Sequence, residues 1–156
     1  MKKVFIGTDH AGFELKEKLV PFLKELGYEV EDKGAFKYDE NDDYPDYIKL
    51  VAQAVMEGPD SEERKGIVLG GSGEGEEISA NKIGGIRAAE YYGGNLEIVK
   101  LARQHNNANV LSLGARFISE VEAKDAVKLF LQTDFSGEER HVRRINKIEP
   151  IEPDPA

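Results

Sequence analysis

Segment 67–82, Ile-Val-Leu-Gly-Gly-Ser-Gly-Glu-Gly-Glu-Glu-Ile-Ser-Ala-Asn-Lys, constrains the fold of this chain more than any other part of it. An apolar run enters it, four glycines and a serine fill its middle, and a helix-competent stretch opens on Glu76. A strand that turns through glycines into a helix N-terminus aims several backbone N–H groups at one small volume, which can hold an anion or an oxyanion. The rest of the chain repeats this alternation. Apolar runs predict strands at 4–8, 28–32, 67–69, 86–92 and 110–114. Helical periodicity predicts helices over 13–26, 43–56, 95–104, 121–131 and 138–148, besides the one opening on Glu76. Gly27 sits where a helix C-terminus wants glycine, Pro21 is expected to kink or shorten the first helix, and Asp43 is placed to cap the second. Alternating strands and helices imply an α/β fold, a five-stranded parallel sheet covered on both faces. One domain over 1–148 is expected, with a Pro-rich acidic tail at 149–156 that should fray.

Ligands of such sheets bind beyond the carboxyl ends of the strands, near a topological switch point. The chain puts its chemistry there repeatedly: Asp9 and His10 after the first strand, the glycine loop after the third, Arg116 after the fifth. These three clusters are expected to converge.

Composition narrows the function. A net charge of −9 over 156 residues argues against general binding to nucleic acid or to a membrane surface, both polyanionic. Cysteine is absent, so no thiolate nucleophile, disulfide framework or cysteine metal site is available. No histidine pair stands at metal-ligand spacing with a third donor, so no metal site is expected. The N-terminus is too short in apolar residues for a signal peptide and no later run could span a bilayer, which predicts a cytoplasmic protein.

The glycine loop is neither a Walker A motif nor a dinucleotide fingerprint, since no Gly-Lys-Ser/Thr follows and the third fingerprint glycine is replaced by Glu76. Phosphate cradles do not place a carboxylate at their mouth. A carboxylate beside an oxyanion hole is what proton abstraction next to a carbonyl requires. Glu76 therefore has two readings: a helix-terminal acid complementing the dipole, or a general base. Glu77 suits the dipole role better, and Glu74 is expected to point outward. His10 and His105 are candidate proton carriers or anion ligands, and His141 has less support. Arg140 and Arg144, one turn apart on a basic helix, can grip one phosphate with forked hydrogen bonds, and Arg116 can join them. A phosphorylated small molecule is implied.

The sequence resembles the ribose-5-phosphate isomerase B and galactose-6-phosphate isomerase group over nearly the whole chain to about residue 148. The resemblance is carried by Gly7-Thr8-Asp9-His10-Ala11-Gly12, by Asp43-Tyr44-Pro45, and by Gly70-Gly71-Ser72-Gly73-Glu74-Gly75-Glu76 with Ala80-Asn81-Lys82. Gly85-Ile86-Arg87-Ala88, Arg103-Gln104-His105-Asn106-Asn107-Ala108-Asn109 and Arg140-His141 through Arg144 complete it. It implies a Rossmann-like three-layer sandwich and a cofactor-free aldose–ketose isomerase, a homodimer or homotetramer with active sites shared between subunits. Many relatives use a cysteine at the position of Gly70 as the base. This chain is similar to the branch that uses a glutamate at the position of Glu76.

By that resemblance, Glu76 would move a proton between C2 and C1 of an aldose phosphate through a cis-enediolate, with Gly71, Gly73, Glu74, Gly75 and Ser72 forming the oxyanion loop. His105 from the neighbouring subunit would open the sugar ring with Asp9 close by. His10, Arg140 and Arg144, with Arg116 from the partner chain, would bind the phosphate, and Tyr44 and Asn106 would meet sugar hydroxyls. Glu74 stands where relatives generally carry an uncharged residue. Ribose 5-phosphate is the expected substrate, a hexose or tetrose phosphate the alternative, and a non-catalytic phosphosugar-binding module the competing class.

Overall fold

The computed structural model describes residues 2–148; the expected frayed tail lies outside the described residues. Five parallel strands form one sheet: β1 (Lys3–Thr8), β2 (Glu29–Asp32), β3 (Arg64–Gly70), β4 (Ala88–Tyr91) and β5 (Val110–Gly114), in the order β2-β1-β3-β5-β4. The helices are α1 (Phe13–Glu25), α2 (Tyr44–Met56), α3 (Glu74–Asn81), α4 (Glu97–Gln104), α5 (Glu120–Gln132) and α6 (Glu139–Ile148). No helix of the described residues is long and apolar enough to cross a membrane.

The period-two alternation of side chains splits the core into two layers. Val4, Ile6, Ile67, Leu69, Leu111 and Leu113 face one side and pack with Leu19 and Leu23 of α1, Val99 of α4 and Phe130 of α5. Phe5, Val68 and Val110 face the other side, against Ile48, Val51 and Val55 of α2 and Ala80 of α3. The three-layer α/β sandwich expected from the sequence is the observed architecture.

Several boundaries differ from expectation. The helix expected to open on Glu76 begins at Glu74, because Gly73 takes a left-handed φ of 85° and its carbonyl accepts the Glu77 N–H at 2.9 Å. That turn asks for glycine. Pro21 does not break α1, which runs through it to Glu25; Pro21 is exposed, and Leu19 and Leu23 hold the inner face. Asp43 stands at the N-cap of α2 without a side-chain capping bond. The fourth strand is shorter than its apolar run, beginning at Ala88, since the Arg87 N–H is given to the Asn109 side chain at 2.8 Å.

A buried charge that periodicity did not reveal fixes the segment after β2. Lys16, fully buried on α1, donates to Asp32 at 2.7 Å and to the Ala35 carbonyl at 2.6 Å. Thr8 and Ala35 pair through their backbones at 2.8 Å, so the chain from Gly34 toward Tyr44 is pinned beside the end of β1.

Candidate active site

Three strand ends meet at one edge of the sheet. Thr8 of β1 is in register with Leu69 of β3, and its buried hydroxyl reaches the Leu69 carbonyl at 2.9 Å. Gly70 is in register with Gly114 of β5; beyond the strands, Ala115 N–H donates to Gly70 O at 2.8 Å and Arg116 N–H to Gly71 O at 3.1 Å. The chain leaves β1 toward β2 on one side and leaves β3 toward the β4–β5 pair on the other, so the sheet's switch point opens between β1 and β3. Asp9, the glycine loop and Arg116 border that opening, as the strand-end argument expects.

Glu76 lies at its centre. It is only 4% exposed, and its carboxylate lies over Gly70: a Cβ built on Gly70 would fall 2.0 Å from Oε1 and 2.3 Å from Oε2. Burial pushes its carboxyl above the usual carboxylate value, its own N–H opposes the shift, and the Asp9 charge adds to it. A raised pKa within the carboxylate family suits a base that must hold and return a proton near neutral pH. Glu74, by contrast, is exposed.

The loop around it has defined contacts. Ser72 Oγ accepts the Glu74 N–H at 3.2 Å, which leaves its own O–H for a ligand. The Tyr44 ring lies on Gly75, where a Cβ would meet Cζ at 2.5 Å. A Cβ on Gly71 would lie 3.1 Å from Arg116 Nη1. Asp9 is 6% exposed and accepts the Ala11 N–H at 3.0 Å; burial pushes its carboxyl up, the Ala11 N–H and the charges of His10 and Arg116 oppose, and Asp42 adds. His10 Nδ1 lies 2.7 Å from Asp42 Oδ1, and that bond draws the His10 pKa up against the cost of burial. Asp9, His10 and Asp42 bring donor atoms within 4.8 Å of one another, but two of these are spent on the His10–Asp42 hydrogen bond.

The remaining expected residues lie elsewhere. α4 runs back from β4 and is followed at its C-cap by His105, just before β5 begins, so His105 and Asn106 stand at the amino edge of the sheet. Five residues of β5 separate them from the site by about 15 Å. His141 of α6 stacks on His105 with ring centroids 4.3 Å apart and planes at 18°. α6 turns His141 and Ile145 inward and leaves Arg140 and Arg144 exposed, Arg140 bonded to Glu138 at 2.9 Å. Arg116, expected from a partner chain, lies beside Gly71 of its own chain, where β5 adjoins β3 and the two strand ends are joined by backbone hydrogen bonds.

Two residues of this region escaped sequence reasoning. Asp42 lies in an acidic run, Asp39 to Asp43, where nothing singles it out. Glu90 of β4 reads as a solvated strand residue, yet its carboxyl packs against Gly73, where a Cβ would lie 2.6 Å from Oε1. Among the described residues neither of its oxygens has a hydrogen-bond partner; the hydroxyl of Ser112, its neighbour in register, goes to the Gly73 carbonyl at 2.7 Å.

Comparison with known proteins places the chain among proteins of the same fold. The sequence profile described as Ribose/Galactose Isomerase matches residues 4–148. Ribose-5-phosphate isomerase B of Escherichia coli is 43% identical over 155 residues, covering 97% of each chain. The protein of the same name from Mycolicibacterium paratuberculosis is 43% identical over 150 residues, 96% of this chain and 91% of that one. Among solved structures, ribose-5-phosphate isomerase B of Mycoplasma genitalium with bound ribulose-5-phosphate superposes with a TM-score of 0.87 at 42% identity, over 94% of this chain and 93% of that one. The type B ribose 5-phosphate isomerase of Trypanosoma brucei gives 0.88 at 41% identity, over 97% and 99%.

Proposed function

Because the chain belongs to the ribose/galactose isomerase family, we propose that it is a cytoplasmic, cofactor-free aldose–ketose isomerase interconverting ribose 5-phosphate and ribulose 5-phosphate, with Glu76 as its base. The observation that carries the residue assignment is the Glu76 carboxylate, buried over Gly70 at the mouth of a turn rich in backbone N–H groups.

On the open-chain aldose, Glu76 takes the C2 proton as the C1–C2 double bond forms and charge passes to the C1 oxygen. Amides of loop 71–75 and the Ser72 hydroxyl hold that charge. The proton held by Glu76 then returns to C1 while the C2 hydroxyl proton passes to the C1 oxygen, and the C2 carbonyl and C1 hydroxyl of the ketose result. One carboxylate serves both carbons because a cis-enediolate offers them on the same face. His10 and Arg116 of the same chain bind the phosphate, Asp9 assists at the ring oxygen, and Tyr44 meets a sugar hydroxyl.

We assign His105, Asn106, Arg140 and Arg144 to the site of a second copy, in a homodimer or homotetramer. The separation of the two sheet edges supports this, since these residues lie a strand's length from Glu76 of their own chain.

Ribulose 5-phosphate formation by the wild type beside Glu76→Gln tests the reading. The wild type should turn over and the variant should lose about 10²–10⁴-fold in kcat. Undiminished turnover in the variant would remove Glu76 as the base. Turnover only of hexose or tetrose phosphates would change the substrate, and binding without turnover would make the chain a phosphosugar-binding module.

A further inference from the structure

We propose that Asp42 is a positioning residue for His10, fixing the imidazole by two hydrogen bonds so that Nε2–H is the group offered to the substrate's phosphate. Asp42 Oδ1 accepts both the His10 backbone N–H, at 3.1 Å, and His10 Nδ1, at 2.7 Å. A carboxylate has no proton to give, so Nδ1 must carry one. Nε2 is then the ring atom left for a ligand, on a side chain that keeps 23% of its surface exposed. The Asp42 side chain is 5% exposed, and the Tyr47 phenol also faces its carboxylate, so its charge is shared between His10 and that phenol with little help from water. The Tyr38 ring meets the imidazole edge-on at 6.2 Å and limits its rotation.

The charges around His10 favour its cationic form. Asp42 and Asp9 draw its pKa up; Arg116 and partial burial oppose them. From α2, Tyr47 faces Asp42, and the burial of its phenol and the Asp42 charge keep it neutral. With both ring nitrogens protonated, His10 gives one N–H to Asp42 and one to the phosphate, a charge-assisted bond. Asp42 thereby couples the loop after β2 to phosphate binding without touching the substrate.

This role rests on the isomerase reading, and a test in two parts separates them. The chain has three histidines, so imidazole NMR signals can be assigned with His10→Asn. In Asp42→Asn the His10 midpoint should fall. With ribose 5-phosphate, KM should rise about tenfold near pH 8 while kcat changes little. The KM defect should shrink toward pH 6 as His10 regains its proton. A defect equal at every pH, or an unmoved His10 midpoint, would overturn the proposal. If the wild type does not isomerise ribose 5-phosphate, the isomerase reading fails, and the response of the His10 signal to inorganic phosphate in the two proteins still decides the positioning role. Should Asp42→Asn not fold, the wild-type midpoint decides: above the ordinary value of about 6.5 it supports the coupling, at or below it the coupling is wrong.

Discussion

At Gly70 the missing side chain is what gives Glu76 its place. The carboxylate fills the volume in which a Cβ would stand, so a side chain at position 70 and a carboxylate from position 76 compete for one space. This competition is the physical reason to expect the chain to resemble the branch with a glutamate at the position of Glu76 and not the one with a cysteine at that of Gly70. Because the obstructing atoms are the end of a flexible side chain, Gly70→Ala should fold and displace the carboxylate. Activity should drop by about 10²-fold or more, with an unchanged circular dichroism spectrum and melting temperature as controls. Wild-type activity in that variant would show that the carboxylate over Gly70 is not in its working position. The pH profile belongs to this scale too. Glu76 must be ionised to accept a proton, and burial raises its pKa, so kcat should rise along an acid limb whose midpoint lies above the ordinary carboxylate value. A midpoint at that value would mean that the substrate complex leaves Glu76 solvated.

The turn between β3 and α3 works as an element because groups outside it hold its backbone. Ser112 of β5 bonds the Gly73 carbonyl, Tyr44 of α2 covers Gly75, and Glu90 of β4 presses on Gly73 from beneath. Burial, aided by the charges of Glu74, Glu77 and Glu76, pushes the Glu90 carboxyl up to about 8. An acid raised in this way binds more protons in the folded than in the unfolded chain between its ordinary value and about 8, so it withdraws stability as pH rises through that window. Glu90→Gln should therefore be more stable than wild type by roughly 1–3 kcal/mol above pH 8, the difference vanishing toward pH 4. Chemical denaturation across that range checks it. A difference that stays constant with pH would assign the effect to packing.

On the scale of the whole molecule, the parallel topology sends the chain's candidate residues to opposite edges. Residues that follow strands gather at the carboxyl edge: Asp9, His10, Ser72, Glu76 and Arg116. His105 and Asn106 follow a helix and are carried to the amino edge, where α6 brings Arg140 and Arg144. If two copies complete each other's sites, mixing Glu76→Gln with His105→Asn should rebuild one intact site in each mixed dimer. Roughly a quarter of wild-type activity should return after subunits exchange at random. No gain on mixing would make each chain's site self-sufficient.

The sequence by itself determined the layered α/β plan, the strand-end placement of Asp9, the glycine loop and Arg116, and made Glu76 the candidate carboxylate of that loop. Each follows from local physics: side-chain periodicity, glycine's access to left-handed φ, and the chemistry of a carboxylate beside clustered amides. Only the tertiary structure decided the rest. That Arg116 lies beside its own chain's glycine loop depends on β5 lying next to β3, an order of strands that no local pattern encodes. That Asp42 rather than its neighbours meets His10, and that the carboxyl oxygens of half-buried Glu90 are shut away from solvent, depends on long-range packing of groups with no distinguishing sequence signal. The α3 boundary moved for a smaller reason: helix start is set by where the turn's first carbonyl finds an N–H, and the Gly73 turn places it two residues before the periodicity suggests.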